Sequence, residues 1–143
     1  MPSTEQSINL SAPPEKIWEM VKEPSRWSEW FEGASTPKVL NGNGDAGTEV
    51  AVTMSVAKIE IPTRLKITEA IPGERWRGDF HSPGVTKGFM EWHYLNMGTR
   101  TKLTFRIEAE LQGAAKIAEG RVVKGLEELA QKTLHNLKIM VES

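Results

Sequence analysis

Apolar positions along this chain follow two different periods, and the change from one to the other divides it into elements. Over residues 4–11, Ile8 and Leu10 alternate with Ser7 and Asn9, the two-residue period of a half-buried strand. The run Ser11-Ala12-Pro13-Pro14-Glu15 then reads as a helix start, with a capping serine, prolines in the first turn and an early acid. Ile17, Trp18 and Val21 form the apolar face of that helix. Pro24 ends it, Ser25 is placed to cap a second short helix over 26–31 bearing Trp27 and Trp30, and Gly33 closes the pair. From Lys38 the period returns to two. Lys38 to Leu40 leads into a glycine-rich turn, and Val50, Val52, Met54 and Val56 then alternate with polar partners. Leu65 and Ile67 do the same, as do Trp76, Gly78 and Phe80, with breaks at Pro72-Gly73 and at His81 to Gly84. Gly88 to Leu95 and Arg100 to Leu111 complete a last hairpin. With Met97-Gly98 as a two-residue turn, its register sets Trp92 opposite Leu103, Met90 opposite Phe105 and Gly88 opposite Ile107.

The longest pattern comes last. Val122, Leu126, Leu129, Thr133, Leu137 and Met140 recur in steps of three and four, while Lys116, Glu119, Lys124, Glu127, Glu128, Lys132 and Lys138 fall on the opposite face. The spacing predicts one helix over 114–141, roughly 40 Å long at ~1.5 Å per residue. A stripe of that length needs an equally long apolar surface, and the strands before it supply one. The expected fold is α+β: a curved antiparallel sheet gripping a long C-terminal helix, with two short helices after the first strand.

Length and composition narrow the reading without changing it. The 143 residues suit one domain spanning residues 1–143 with its own core. A net charge of -1 gives no electrostatic reason to expect nucleic acid. The chain has no cysteine, which excludes a disulfide scaffold and a thiol nucleophile. No run reaches the ~18 apolar residues of a membrane helix. Residues 1–9 are polar and lack the pattern of a secretory leader, so a cytoplasmic protein is expected.

Motif-like stretches resolve into ordinary structure. Gly42-Asn43-Gly44-Asp45-Ala46-Gly47 spells G-x-G-x-x-G, but a strand pattern follows it where a dinucleotide site needs a helix. It is read as a hairpin loop. Glu91 and His93 lie two apart on a strand face, yet that face is the outer, charged one and offers no third ligand. Neither a metal nor a cofactor is expected. Glu108, Glu110, Lys102, Arg106 and Arg64 are likewise placed on the solvated face.

The aromatic residues, by contrast, converge. Trp76, Phe80, Trp92, Tyr94 and Phe105 share the inward face with Met54 and Met90. Aromatics on such a face usually form plain core. Gly78, Gly88 and Ala109 on the same face are expected to leave room inside the curve of the sheet. Apolar walls with a few polar groups make a pocket, and Tyr94 and Thr133 are its polar candidates. The expected ligand-binding set is Trp30, Met54, Trp76, Phe80, Met90, Trp92, Tyr94, Phe105, Ala109, Val122, Leu126, Leu129 and Thr133.

The stretch Ile8-Asn9-Leu10-Ser11-Ala12-Pro13-Pro14-Glu15-Lys16-Ile17-Trp18, with Pro24-Ser25-Arg26-Trp27-Ser28-Glu29-Trp30, resembles the START/Bet v 1-like (SRPBCC) helix-grip superfamily. The likeness is nearest to its bacterial polyketide cyclase/dehydrase branch and continues through Trp92-His93-Tyr94 and Gly98-Thr99-Arg100-Thr101. The resemblance implies about seven strands wrapped around the last helix, and a cavity for lipids, polyketides or similar molecules. Aromatase/cyclase relatives carry an inward arginine on a middle strand. The corresponding stretch here, Ile67-Thr68-Glu69-Ala70-Ile71, has none. The expected function is therefore binding of a small hydrophobic ligand between sheet and helix. One alternative is a cyclase/dehydratase-type enzyme without metal, with Tyr94 as its acid–base candidate. The other is a protein-interaction, cochaperone-like domain.

Overall fold

The structure, a computed structural model, describes residues 2–143. Strand β1 (Ser3–Leu10) is followed by helix α1 (Pro14–Val21) and a 3₁₀ turn (Pro24–Glu29). Six strands come next: β2 (Lys38–Asn41), β3 (Glu49–Val56), β4 (Ile59–Ile71), β5 (Arg75–Ser82), β6 (Val85–Asn96) and β7 (Thr101–Leu111). Helices α2 (Gly113–Ile117) and α3 (Glu119–Glu142) end the chain. The strands make one seven-stranded antiparallel sheet in the order β1-β7-β6-β5-β4-β3-β2, open between β1 and β2. The α+β helix-grip architecture expected from the patterning is the one observed.

Several details differ from the sequence reading. The terminal helix is not continuous. Ala118 leaves helical geometry (φ -94°, ψ 24°), so the exposed turn α2 is set off from α3. No residue of α2 is fully buried, and Ala115 alone packs partly against the core. Ser11 does not cap α1. Pro13 stands at that position without a side-chain cap, and the Ser11 N–H instead donates to Glu142 Oε2 at 3.1 Å. With Lys138 Nζ donating to the Asn9 carbonyl at 3.4 Å, this bond ties the end of α3 to edge strand β1. Ser25 caps nothing either. The second short helix is a 3₁₀ turn that begins at Pro24, two residues earlier.

The last hairpin also has a different register. Asn96 and Thr101 close a four-residue loop in which Met97 N–H bonds the Arg100 carbonyl at 2.9 Å. Asn96 Oδ1 accepts from Gly98 N–H at 2.9 Å, and Gly98 takes a left-handed φ of 87°. This side-chain-closed turn is the local preference that a count of turn residues overlooks. Trp92 therefore faces Phe105, Met90 faces Ile107 and Gly88 faces Ala109. The shift from the expected pairing is two residues, an even number, so every inward residue keeps its face.

The glycine-rich segment is a loop, as read from its context. Thr48 is buried beneath it, and its Oγ1 accepts from Gly44 N–H at 2.8 Å. On the outer sheet face, Arg77 Nη1 donates to Glu91 Oε1 at 2.8 Å and His93 Nε2 lies 2.9 Å from Glu91 Oε2. Arg77 also sits 4.1 Å above the Phe89 ring.

Gly78 and Gly88 do not open space inside the sheet. A β-carbon on Gly88 would lie 2.4 Å from the Phe80 ring, and one on Gly78 would lie 2.7 Å from the Trp76 ring. Each glycine is a seat for the aromatic ring beside it. Gly88→Ala is accordingly expected to cost about 1–3 kcal/mol through overpacking. In a Phe80→Leu background, where the ring is gone, the same change should cost under ~1 kcal/mol. Urea denaturation of the four proteins measures this coupling, and equal costs in both backgrounds would contradict the seating.

Candidate functional site

Two apolar cavities lie on the inner face of the sheet, and a cluster of rings stands between them. Phe105 and Trp92, directly opposed on β7 and β6, stack at 3.9 Å with planes 5° apart. Trp30 meets Trp92 edge-on at 5.8 Å, and Phe31 meets Phe105 edge-on at 5.8 Å. Trp30 and Phe31 are themselves 5.5 Å apart, which closes a circuit of four rings. Each such contact adds about 0.5–1.5 kcal/mol beyond the area it buries.

The first cavity, of about 40 Å³, lies beneath α1 and the 3₁₀ turn. All five tryptophans of the chain line it, as does its one tyrosine, Tyr94. Aliphatic wall comes from Val52, Met54, Leu65, Met90 and Leu103, and α3 contributes Leu137. Lys22 is the one charged lining residue. It is partly exposed at the rim, 2.9 Å from Glu19. The second cavity, of about 70 Å³, lies where α3 begins to cross the sheet. Phe80, Ala109, Val122, Leu126 and Leu129 line it, and Phe31, Met54 and Met90 border both spaces.

The residues expected to bind ligand are thus divided between two places. Trp30, Trp76, Trp92 and Tyr94 join the first cavity, and Phe80, Ala109, Val122, Leu126 and Leu129 the second. Two of the expected residues border neither. Phe105 is fully buried inside the ring cluster. Thr133 is also fully buried, and its hydroxyl accepts the Glu32 N–H at 3.1 Å. That hydroxyl anchors a loop instead of facing a void.

Trp18, Trp27 and Phe31 went unselected because periodicity shows that a short helix has an apolar face but not where it docks. Asn136 was also unselected. Its Nδ2 donates to the Trp30 carbonyl at 3.2 Å and to Glu32 Oε2 at 3.1 Å. An amide one turn along from Thr133, beside the apolar stripe, was the available signal.

Two polar groups of residues lining the first cavity have no partner among the described residues. Tyr94 is half-buried, its hydroxyl makes no hydrogen bond among the described residues, and burial pushes its phenol well above the usual range. It stays protonated at neutral pH, able to donate a hydrogen bond. Trp30 is only 5% exposed, and its Nε1 is buried without an acceptor. A donor left so costs about 1–3 kcal/mol.

The chain matches the family model described as polyketide cyclase / dehydrase and lipid transport over residues 1–142. The chain belongs to this family. No curated protein matches it. Among solved structures, this family member is similar to the Zhui aromatase/cyclase from Streptomyces sp. R1128. The TM-score is 0.86 at 15% identity, covering 98% of this chain and 93% of that one. It is also similar to Ara h 8.0201 (TM-score 0.75, 14% identity, covering 98% and 97%). A START superfamily protein from Mycobacterium smegmatis is similar too (TM-score 0.68, 12% identity, covering 90% and 97%). At such identities these three likenesses carry the fold alone.

The cavity above Ala109 gives a direct test of the interior of this polyketide cyclase/dehydrase family member. Ala109→Val adds two methyl groups at a strand position that suits a β-branched side chain. Stability should hold or rise by up to ~1 kcal/mol as the space fills. A loss of more than ~1 kcal/mol in thermal unfolding would mean that no usable space exists there.

Proposed function

We propose that this protein binds a small hydrophobic ligand in the cavity beneath α1 and the 3₁₀ turn. One observation carries the reading: every tryptophan and the lone tyrosine of the chain come together around one cavity from α1, the 3₁₀ turn and its end, β5 and β6. Packing alone needs no such segregation. The walls are apolar, the polar groups are few, and the one charge stands at the rim, the make-up of a site for a neutral, largely apolar molecule.

The space is small. The two cavities of about 40 and 70 Å³ are each below the roughly 150 Å³ in which an engineered cavity takes up benzene. A ligand must therefore displace side chains, and Met54 and Met90, which border both cavities, are the flexible ones. Cyclase chemistry is the second reading, and Tyr94 favours it as a protonated phenol within the cavity. Of the lining residues only Lys22 could serve as a base, and it is held at the rim by Glu19. Binding without turnover fits these groups better.

Titration with naphthalene or a long-chain fatty alcohol should shift and partly quench the tryptophan emission, and Trp92→Phe should lose much of that signal. Emission unchanged by every apolar probe tried would end the proposal.

A further inference from the structure

The outer face of the sheet carries a groove of its own, away from the interior cavities. Strand register sets Lys38, Ala51, Arg64 and His81 in one cross-strand row from β2 to β5. The neighbouring pair Leu65 and Phe80 is buried, so Arg64 and His81 stand on the outer face, where both are exposed. Small Ala51 and Pro62 keep the floor low, and Ser35 and Thr36 form a wall beside β3. That wall is bonded in place: Ser35 N–H donates to the Thr53 carbonyl and Ser35 Oγ accepts from Thr53 N–H, both at 2.9 Å. The groove has a volume of about 340 Å³, against about 40 and 70 Å³ for the interior cavities.

Its charge is unmatched. Four arginines lie in the strands, and three have carboxylate partners: Arg75 with Glu69 at 2.6 Å, Arg77 with Glu91 at 2.8 Å and Arg106 with Glu108 at 2.7 Å. Arg64 has none among the described residues, and the His81 ring makes no hydrogen bond among them. Glu49 and Asp79 stand in the next outward row, on either side of Lys66, and Asp79 lies 3.4 Å from Arg77. No residue lining the groove is acidic. The Ser35 hydroxyl, having accepted from Thr53, keeps its own proton free to donate, and Thr36 and Thr53 bring two more hydroxyls. A guanidinium, an imidazole and three hydroxyls thus border one space with no carboxylate to receive them.

We propose that this groove binds the phosphate of a small phosphomonoester, with Arg64 as its main anchor. A guanidinium presents paired N–H donors that fit two phosphate oxygens at once. The hydroxyls of Ser35, Thr36 and Thr53, across β3 from Arg64, are donors for the remaining oxygen. A carboxylate has only two oxygens and would leave part of this donor set idle. The volume exceeds that of a single anion, and Ala51 and Pro62 give apolar surface to the organic part of the ester. The groove opens on the opposite face of the sheet from both interior cavities, so the proposal stands whatever those hold.

The test titrates the full chain with phenyl phosphate and follows backbone amide resonances. Those of Ser35, Thr53 and Arg64 should move and saturate at millimolar concentration. No saturable shift, or shifts confined to residues of the interior cavities, overturns the site. Arg64→Gln should weaken binding roughly tenfold, as expected for loss of a charge-assisted pair. Lys66→Gln removes the same charge from the same strand face outside the groove, and should weaken it by no more than about twofold. Both positions are exposed, so neither change disturbs the core. Equal weakening by the two would reduce the effect to general attraction and overturn the groove. Benzyl alcohol, which lacks the phosphate, should leave these amides unmoved, and equal shifts with it would refute phosphate recognition. Inorganic phosphate should compete but bind more weakly; affinity equal to that of phenyl phosphate would overturn the ester.

Discussion

The circuit formed by Phe31, Phe105, Trp92 and Trp30 is the contact on which the interior depends. Two of its rings belong to neighbouring sheet strands and two to the segment that ends the 3₁₀ turn, so it fastens that segment to the sheet just before its backbone bridge from Ala34 to Met54 on β3. The parallel stack of Trp92 on Phe105 exists because those residues are directly opposed. A hairpin closed two residues tighter would place Leu103 there and break the circuit. The Asn96 turn at one end of the hairpin thus decides the aromatic packing nearly half a strand away.

The same circuit explains why a sheet curved around a helix encloses so little space. Its rings occupy the middle of what would otherwise be one continuous hollow, leaving two small remnants. It also sets up an energetic opposition. The edge-to-face contacts favour the present position of Trp30, while the unpaired indole N–H penalises it by a similar amount, about 1–3 kcal/mol. A packed core that tolerates such an opposition is not optimised for stability alone.

Much of this architecture was legible in the residue pattern. The alternation of Val50, Val52 and Met54, and that of Trp76, Gly78 and Phe80, identifies strands and their inward faces, because side-chain period depends only on backbone geometry. The three-and-four spacing of Leu126, Leu129 and Leu137 likewise marks the helix. What escaped the pattern depends on contacts between distant segments. Ala118 breaks the last helix, and the one hint beside it in the sequence, Gly120, falls where a continuous helix would still tolerate it. Gly78 and Gly88 looked like space, but whether a missing side chain leaves a gap depends on the neighbouring rings, here Trp76 and Phe80. Thr133 looked like a polar wall because its period is right, yet its partner, the Glu32 N–H, lies 101 positions away. Trp18 and Trp27 entered the site through docking angles that no local pattern encodes.

The two sides of the first cavity are fastened unequally. On the α3 side, Asn136 and Thr133 hold the Trp30 carbonyl and the Glu32 N–H of the main chain, and Asn136 also holds the Glu32 carboxylate. On the α1 side, Trp18 and Tyr94 meet only ring against ring, at 5.8 Å. The start of α1 is pinned to β7 by Thr101 Oγ1, which donates to the Ala12 carbonyl at 2.8 Å, but slippage between the Trp18 and Tyr94 faces needs no hydrogen bond to break. In the ligand site proposed above, exchange past that contact would be set by ring packing and not by affinity alone, so two occupants of equal affinity would differ in how fast they exchange.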